Sequence, residues 1–334
     1  MIAPGAWDEM LDEFRALGGI AENICLGAGS FGRGLFPIDP TKPINISIPE
    51  ELLVPVDAVA IENDAFRVKA ASPISERGRA FLEQYERDFS WGPGHHEVES
   101  FLEAMHQLPE RIRDLLTKKF GAGRFFVPTT INLVKTWFFG MRMINARGQR
   151  QVIMPIIELA NHGGNGSYDT ESGVALTGKF DGEVLVRYMM PTDPLDMFLN
   201  WMFAPREPMA FSTELVTTFG GKQFEVQRKF HDASRTPSIP NVTVDGDRIV
   251  VQYLLLGHQN FPRVPKGVFR HAMQEAGLKE ADELYDFVQF ANRQDFLDLL
   301  DALEGIDLSI IPTLKALALN QLRALSCHFG VRQV

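Results

Sequence analysis

Residues 154–162 spell Met-Pro-Ile-Ile-Glu-Leu-Ala-Asn-His, a mostly apolar run that ends on two polar side chains, Asn161 and His162. Polar side chains isolated in an apolar stretch usually hydrogen bond to buried backbone groups. The alternative is that the two side chains belong to a binding site. Taken alone, the stretch favours the first interpretation. The segments on either side of it are needed to decide whether Asn161 and His162 belong to a binding site.

Downstream of this run, an Asp-Gly pair at Asp181 and Gly182 separates two strand-like segments, VALTGKF and EVLVRY. Asp-Gly between such segments predicts a β-hairpin. A second pair, at Asp245 and Gly246, predicts another. Upstream, residues 125–147 are strongly apolar and predict a buried helix.

The rest of the chain alternates between helical and β-rich character. Residues 22–65 contain short β-rich runs separated by Gly and Pro, which predicts small strands joined by tight loops. Three further segments have apolar residues at helical spacing, namely 5–17, 73–120 and 266–330. The second of these ends at Gly121, a predicted C-cap. The pattern indicates an α+β protein.

Composition excludes several classes of partner. The chain has 334 residues, 45% hydrophobic and 23% charged, which is ordinary for a globular protein of up to two domains. Its net charge is -10, and no run of Lys or Arg offers a face for phosphates, so we expect no nucleic-acid partner. No apolar run is long enough to span a bilayer, and the N-terminus lacks a signal-peptide pattern, so we expect no membrane association and a cytoplasmic location.

The two cysteines, Cys25 and Cys327, are far apart, and neither lies in a CxxC or Cys/His cluster. We therefore expect no metal site and no disulfide scaffold.

Two common glycine motifs, the dinucleotide-binding motif and the kinase phosphate loop, do not fit this sequence. Residues 27–32 match GxGxxG, but Pro37 and Pro40 follow closely, so the helix required to bind a dinucleotide pyrophosphate cannot begin there. A kinase phosphate loop is also excluded, because Glu62 takes the place of the lysine in the VAIK-like strand and no HRD or DFG follows.

Four stretches, in chain order, resemble SET-domain proteins of the RuBisCO lysine methyltransferase type. They are GRGLF at 32–36 with IPEELL at 48–53, MPIIELANH at 154–162, DGEVLVRY at 181–188, and LNWMF at 199–203. The resemblance covers roughly residues 18–205. It implies an α+β fold of small twisted sheets over residues 1–205, with a helical insert at 66–128. Residues 206–334 would then form a mostly helical C-terminal domain, a candidate for binding the protein substrate.

The same resemblance implies a cofactor, S-adenosylmethionine, and a reaction, methyl transfer to a lysine side chain of a protein substrate. The residues implied in cofactor binding are Phe31, Gly32, Arg33, Gly34, Asn161, His162 and Phe203. Glycine allows the backbone to approach the amino-acid end of the cofactor where a Cβ would intrude. Tyr188 is implied as the catalytic residue, because its hydroxyl can orient a neutral amine in line with the methyl group.

The sequence also departs from the family pattern. Thr136 and Trp137 take the place of a Ser-Arg pair whose arginine meets the cofactor carboxylate, and Trp201 replaces a tyrosine. These three residues are implied at the substrate channel. Met189 takes the place of the glycine after the catalytic tyrosine. The departures favour an alternative, a catalytically inactive SET domain that acts as a protein-binding module.

An unrelated enzyme that uses His162, or the His95–His96 pair, is a further alternative. The sequence offers no Ser, Cys or carboxylate that clearly converges on either histidine. The pair, within GPGHHEVE, is interpreted as a solvated loop or helix start.

Overall fold

The computed structural model describes residues 5–29, 32–146, 150–188, 192–228, 239–278 and 281–326. The chain forms two compact units, the first of Met1–Ser100 and Thr129–Tyr188, the second of Phe101–Pro128 and Met189–Val334. The last boundary between the two units falls after Tyr188. The sequence predicts the domain boundary later, with domains of 1–205 and 206–334. The predicted insert, 66–128, is shared between the two units.

The helices are α1 (Ala6–Ala16), α2 (Glu76–Phe89), α3 (Trp91–His106), α4 (Glu110–Phe120), α5 (Ile131–Gly140), α6 (Pro194–Trp201), α7 (Val264–Glu275), α8 (Ala281–Ala302) and α9 (Ile311–Ser326). The strands are β1 (Ile20–Glu22), β2 (Ile24–Gly29), β3 (Gly32–Pro37), β4 (Ile44–Ile48), β5 (Val59–Glu62), β6 (Ala65–Val68), β7 (Met143–Ala146), β8 (Arg150–Ile153), β9 (Asn161–Gly166), β10 (Val174–Gly178), β11 (Leu185–Val186), β12 (Met209–Phe211), β13 (Leu215–Phe219), β14 (Lys222–Gln227), β15 (Asn241–Asp245), β16 (Arg248–Gln252) and β17 (Leu255–His258).

Helix ends follow local chemistry. The hydroxyl of Ser75 accepts a hydrogen bond from the backbone N–H of Gly78 at 3.0 Å, which caps the start of α2. Helix α4 ends on Gly121, whose φ of 67° is left-handed, so the predicted C-cap is confirmed. The apolar spacing in the predicted helix over 5–17 also holds, because its buried residues lie on one face of α1. They are Trp7, Met10, Leu11 and Phe14.

The first unit is built from small sheets. Strand β4 lies between β1 and β10 in an antiparallel sheet, and β2–β3, β5–β6 and β7–β8 are antiparallel pairs. Strands β9 and β11 run parallel. An aromatic core joins α3 to α5, where the Trp91 ring stacks on Phe139 and meets Phe138 edge-on, with ring centres 5.7 Å and 5.2 Å apart.

The second unit combines a sheet with helices. Its four-stranded sheet has the order β13-β14-β16-β15, and β12 pairs with β17. The predicted hairpin at Asp245–Gly246 is confirmed, since β15 and β16 are antiparallel across it and Gly246 has a φ of 55°. Residues 206–334 thus carry six strands before the described helices α7 to α9, more sheet than the predicted helical domain implies.

The α+β class is confirmed, whereas two local predictions are wrong and a third holds only in part. The apolar stretch 125–147 is not one helix, because α5 ends at Gly140 and β7 follows. Asp181–Gly182 does not close a hairpin, since β10 pairs with β4 while β11 pairs with β9. The His95–His96 pair lies near the start of α3 and His96 is exposed, as interpreted, but His95 is only 5% exposed and its Nδ1 donates to the Trp91 carbonyl at 2.7 Å.

Candidate functional site

The glycine hairpin β2–β3 forms one wall of the candidate site. Gly29 pairs with Gly32 and Gly27 with Gly34 across the two strands. Gly32 has a φ of 90°, a conformation that side chains with a Cβ rarely adopt. A Cβ on Gly34 would lie 2.4 Å from the Glu183 Oε1 atom and 2.8 Å from the Asn161 Nδ2 atom. Glycine at 34 is therefore what lets these two side chains reach the hairpin.

Asn161, the first residue of β9, bridges separate motifs of the sequence. Its amide Nδ2 donates to the Arg33 carbonyl at 3.1 Å and to the Glu183 carboxylate at 2.6 Å. The side chain thus bonds a backbone group, as isolated polar residues commonly do, and also a charged side chain. Three stretches far apart in the sequence, 32–36, 154–162 and 181–188, meet at this amide.

Glu183 has a structural place that sequence reasoning did not assign. A Cβ on Gly29 would lie 2.1 Å from its Oε2 atom, so the carboxylate lies directly against the hairpin backbone. The sequence does contain a signal for this role, because Glu183 lies within the quoted DGEVLVRY stretch and is the charged residue nearest to the start of β11.

Tyr188 follows β11, and its hydroxyl donates to the Ala160 carbonyl at 3.0 Å. Burial raises the pKa of Tyr188 to about 12; Arg142 opposes this rise, and the charges of Glu158 and Glu183 add to it. The hydroxyl therefore stays protonated near neutral pH. Its oxygen retains lone pairs while its hydrogen is held by the carbonyl, so it can accept a hydrogen bond from an amine.

His162 packs beside Tyr188. The two rings meet edge-on with centres 5.2 Å apart, and the Tyr188 backbone N–H points at His162 Nδ1 at 3.4 Å. Burial, with the nearby Arg187 charge, lowers the pKa of His162. The imidazole is therefore neutral near pH 7, which suits a packing role and excludes a permanent positive charge beside the tyrosine.

Tyr168 is a second tyrosine whose electrostatic surroundings include groups of the site, and sequence reasoning missed it. Burial raises its pKa well above the usual value, and the charges of Tyr188 and Glu158 raise it further. The Tyr168 hydroxyl therefore lies within electrostatic reach of both groups. The chain has only 5 tyrosines, which is the signal that could have drawn attention to it in the loop between β9 and β10.

Four further predicted residues have structural surroundings of their own. Thr136 is exposed on α5, where its hydroxyl donates to the Asn132 carbonyl at 2.8 Å. Trp137 is 8% exposed in the core of the first unit. Trp201, the last residue of α6, and Phe203 belong to the second unit and are half-buried. Their roles in the substrate channel and at the adenine stay predictions. Phe31 and Met189 lie outside the described residues.

The described residues form neither a metal site nor a membrane-spanning helix. Across the described ranges, no three His, Cys, Asp or Glu side chains are grouped so that they could hold a metal ion. In the same part of the chain, no helix is both long and apolar enough to cross a membrane.

We expect a chelator such as EDTA to leave the melting temperature and any methyl transfer unchanged, because no cluster of ligands is formed by the described residues. Differential scanning fluorimetry and an activity assay before and after treatment measure both. A loss that an added divalent metal restores would contradict the expectation.

Several solved structures are similar to this chain over nearly its whole length. The SET domain of LSMT bound to lysine and AdoHcy is 13% identical with a TM-score of 0.43, covering 96% of this chain and 89% of that one. Rubisco LSMT bound to AdoMet is 13% identical with a TM-score of 0.45, covering 97% and 90%. Rubisco LSMT bound to sinefungin and monomethyllysine is 14% identical with a TM-score of 0.44, covering 98% and 91%.

These are SET-domain proteins of the type that the sequence motifs resemble. No family model and no curated protein matches the sequence.

Proposed function

We propose that this protein binds S-adenosylmethionine and transfers its methyl group to a lysine side chain of another protein. One observation carries the proposal, namely that the Asn161 amide joins the Arg33 carbonyl to Glu183 at Gly34. The sequence resemblance assigns cofactor contacts to Gly32, Arg33, Gly34 and Asn161, and the structure brings these residues together.

The residues of this wall fit the amino-acid end of the cofactor. A charged ammonium needs acceptors, and the Glu183 carboxylate and the Arg33 carbonyl lie together against the glycine hairpin. The absence of a Cβ at Gly29 and Gly34 lets the Glu183 carboxylate lie against the hairpin backbone, where it could accept from the cofactor ammonium. When bound, the cofactor supplies an electrophilic methyl group on a sulfonium. His162 and Phe203 remain proposed contacts of the adenine.

Tyr188 would act on the substrate amine. Lysine, with an ordinary pKa near ~10.4, must lose a proton before it can attack a methyl group. An apolar channel disfavours the ammonium form, so the proton leaves to solvent as the lysine enters. The Tyr188 oxygen, whose own hydrogen is held by Ala160, can then accept from the neutral amine and fix the direction of its lone pair.

A protein-binding module without catalysis is the second candidate. The positions of two cations near α5 are compatible with it. Arg142 lies 3.4 Å from the buried Glu158 carboxylate, and the Lys135 ammonium donates to the Val59 carbonyl. Both cations already have partners, so neither is a ready substitute for the arginine that meets the cofactor carboxylate in the family.

The protein substrate would be bound in part by residues 206–334. Support comes from α8, where Phe287 and Phe290 are 43% and 63% exposed. Exposed aromatic side chains are typical of surfaces that bind other proteins. We also propose a cytoplasmic location and no nucleic-acid partner, and the net charge of -10 supports the latter.

We expect S-adenosylhomocysteine at about 100 times its Kd to stabilise the protein by about 2.7 kcal/mol, because a ligand that binds only the native state raises its stability by mass action. The Gly34→Ala variant should lose at least about tenfold in affinity, since its Cβ would displace Glu183 and Asn161. Thermal melting and calorimetry measure the two effects.

Gly267→Ala is the matched control, because a Cβ there meets no atom within 4 Å. If the wild type shows neither a shift nor heat with millimolar cofactor, the methyltransferase proposal fails and the binding module is favoured.

A further inference from the structure

The first unit contains a buried polar cluster around Glu158, a residue of the 154–162 motif to which the sequence assigns no role. We call it the Glu158 cluster, and it consists of Tyr85, Glu86, Arg142 and Glu158. Tyr85 is fully buried, Glu86 is 1% exposed, and the Glu158 side chain is 4% exposed. Buried charges of this kind are costly unless they are paired and hydrogen-bonded, so their presence calls for a role.

Glu158 is fixed from two sides. The Tyr85 hydroxyl, on α2, donates to its Oε1 atom at 2.9 Å. The Arg142 guanidinium, which follows α5, lies 3.4 Å from its Oε2 atom. The same guanidinium lies 3.9 Å from the centre of the Phe138 ring, which limits its movement. Glu158 is therefore anchored to two helices of the first unit.

The anchored residue belongs to a strained turn. Ile156 has φ 70° and ψ -58°, values that a β-branched residue adopts rarely. The Ile157 N–H donates to the Pro155 carbonyl at 2.9 Å, which closes a γ-turn of the uncommon hand. Burial raises the pKa of Tyr85 well above its usual value, and the backbone of Ile156 opposes this rise. Such a conformation persists only where the surroundings impose it.

The strained turn leads directly into the candidate site. Residues 157–159 form a short 3-10 turn after it, and the next two residues are Ala160 and Asn161. The Ala160 carbonyl accepts the hydroxyl of Tyr188, and Asn161 reaches the glycine hairpin. A shift of the turn would therefore move both groups together.

We propose that Glu158, held by Tyr85 and Arg142, is a positioning residue: it imposes the turn at Ile156 and so places the Ala160 carbonyl and the Asn161 amide. This inference rests on the proposed methyl transfer for its functional consequence. Its structural consequence, an ordered turn at residues 154–162, is independent of that function.

Glu86 makes the cluster sensitive to pH. Burial, and then the charge of Glu158, raise the pKa of Glu86 well above its ordinary value. Burial also raises the pKa of Glu158, against the opposing charges of Arg142 and Arg33. Full ionisation would leave two buried negative charges beside one guanidinium, so the pair retains a shared proton to a higher pH than isolated carboxyls do. The groups that face the pair are Arg33, Tyr85, Ser90, Trp91, Arg142, Tyr168 and Tyr188.

The sign of the pH effect follows from these raised pKa values. A carboxyl whose folded pKa is raised stabilises the fold below its ordinary pKa, and this contribution is lost as the pH rises through the folded value. The contacts of Tyr85 and Arg142 with Glu158 should accordingly weaken as Glu86 ionises. Glu86→Gln, which imitates the protonated form, should remove this loss.

The experiment compares Tyr85→Phe and Glu158→Gln with the wild type by hydrogen exchange of the peptide 154–162 and by calorimetry with S-adenosylhomocysteine. Each variant removes a buried hydrogen bond to a charged group, so we expect exchange at 156–160 and the cofactor Kd each to rise about tenfold. Tyr285→Phe is the matched control, because it removes a buried tyrosine hydroxyl, bonded to the Leu256 carbonyl at 2.6 Å, from the second unit. It should change neither value.

Unchanged exchange in both variants would overturn the inference. A wild type that fails to bind cofactor would instead refute the proposed function, while the exchange data still decide the inference. If the two variants do not fold, Glu86→Gln decides through the melting temperature as the pH is raised above about 4.3, the ordinary pKa of a glutamate. The wild type should lose stability relative to this variant as the pH rises, and parallel curves would overturn the inference.

Discussion

Replacing Tyr188 with phenylalanine is expected to slow methyl transfer at least about 100-fold while changing cofactor affinity little. The hydroxyl is the group that would orient the amine, and its hydrogen bond to the Ala160 carbonyl fixes where its oxygen points. The ring itself packs on His162, and phenylalanine preserves that contact. The loss should therefore fall on kcat rather than on cofactor binding.

Single-turnover transfer of a labelled methyl group, with calorimetry on the same preparation, separates the two quantities. The matched control is Tyr285→Phe, whose hydroxyl lies in the second unit and should not affect the rate. A Tyr188→Phe enzyme of wild-type rate would remove this residue from the mechanism. A loss of cofactor binding in step with the rate would assign Tyr188 to the cofactor pocket instead.

Where the sequence predicted structure well, the signal was local. The helix at α1 follows from apolar spacing, and the end of α4 follows from one glycine. The hairpin at Asp245–Gly246 follows from a two-residue turn whose strands do pair with each other. In each case the residues that carry the pattern also make the contact.

The hairpin predicted at Asp181–Gly182 failed because strand pairing there is decided over a distance. Strand β10 pairs with β4, more than a hundred residues earlier, and β11 runs parallel to β9. A parallel pair cannot be closed by a two-residue turn. The local Asp-Gly signal was real, but tertiary partners determined where the strands went.

The candidate site also combines residues with a local sequence signal and residues whose place depends on distant contacts. The glycines and Asn161 were found because they lie in recognisable motifs. Glu86 and Tyr168 were not, because apolar periodicity treats a charged residue as solvent-facing and a lone tyrosine as core. Only the three-dimensional contacts show that Glu86 is buried beside Glu158. Positions where the pattern fails in this way are often functional or strained.

The second large effect concerns a buried ion pair in the second unit. Arg228, whose side chain is 7% exposed, donates to the carboxylates of Asp193 and Asp196, the latter at 2.7 Å, and to the Ser212 carbonyl at 2.6 Å. Asp193 is fully buried and caps α6 by accepting from the Leu195 N–H at 2.9 Å. The arginine thus ties the end of β14 to the helix that carries Trp201.

We expect Arg228→Met to lower the free energy of unfolding by about 3–5 kcal/mol, because it leaves a buried carboxylate without its cation. Arg248→Met is the control, since its pair with Glu225 is half-exposed and should be worth at most about 1 kcal/mol. Urea titration followed by circular dichroism measures both. A loss in Arg228→Met no larger than that in the control would contradict the assignment.

The pH dependence of the Arg228→Met defect provides an independent test of its cause. Burial raises the pKa of Asp193 even beside the arginine, and removing the positive charge should raise it further. A carboxyl with a raised folded pKa gains protons on folding, so the stability lost in the variant should return as the pH falls toward about 4. Adding Asp193→Asn and Asp196→Asn should restore most of the loss at pH 7, because the amide of residue 193 can still cap α6. Failure of both treatments would mean that the arginine acts through its packing rather than through its charge.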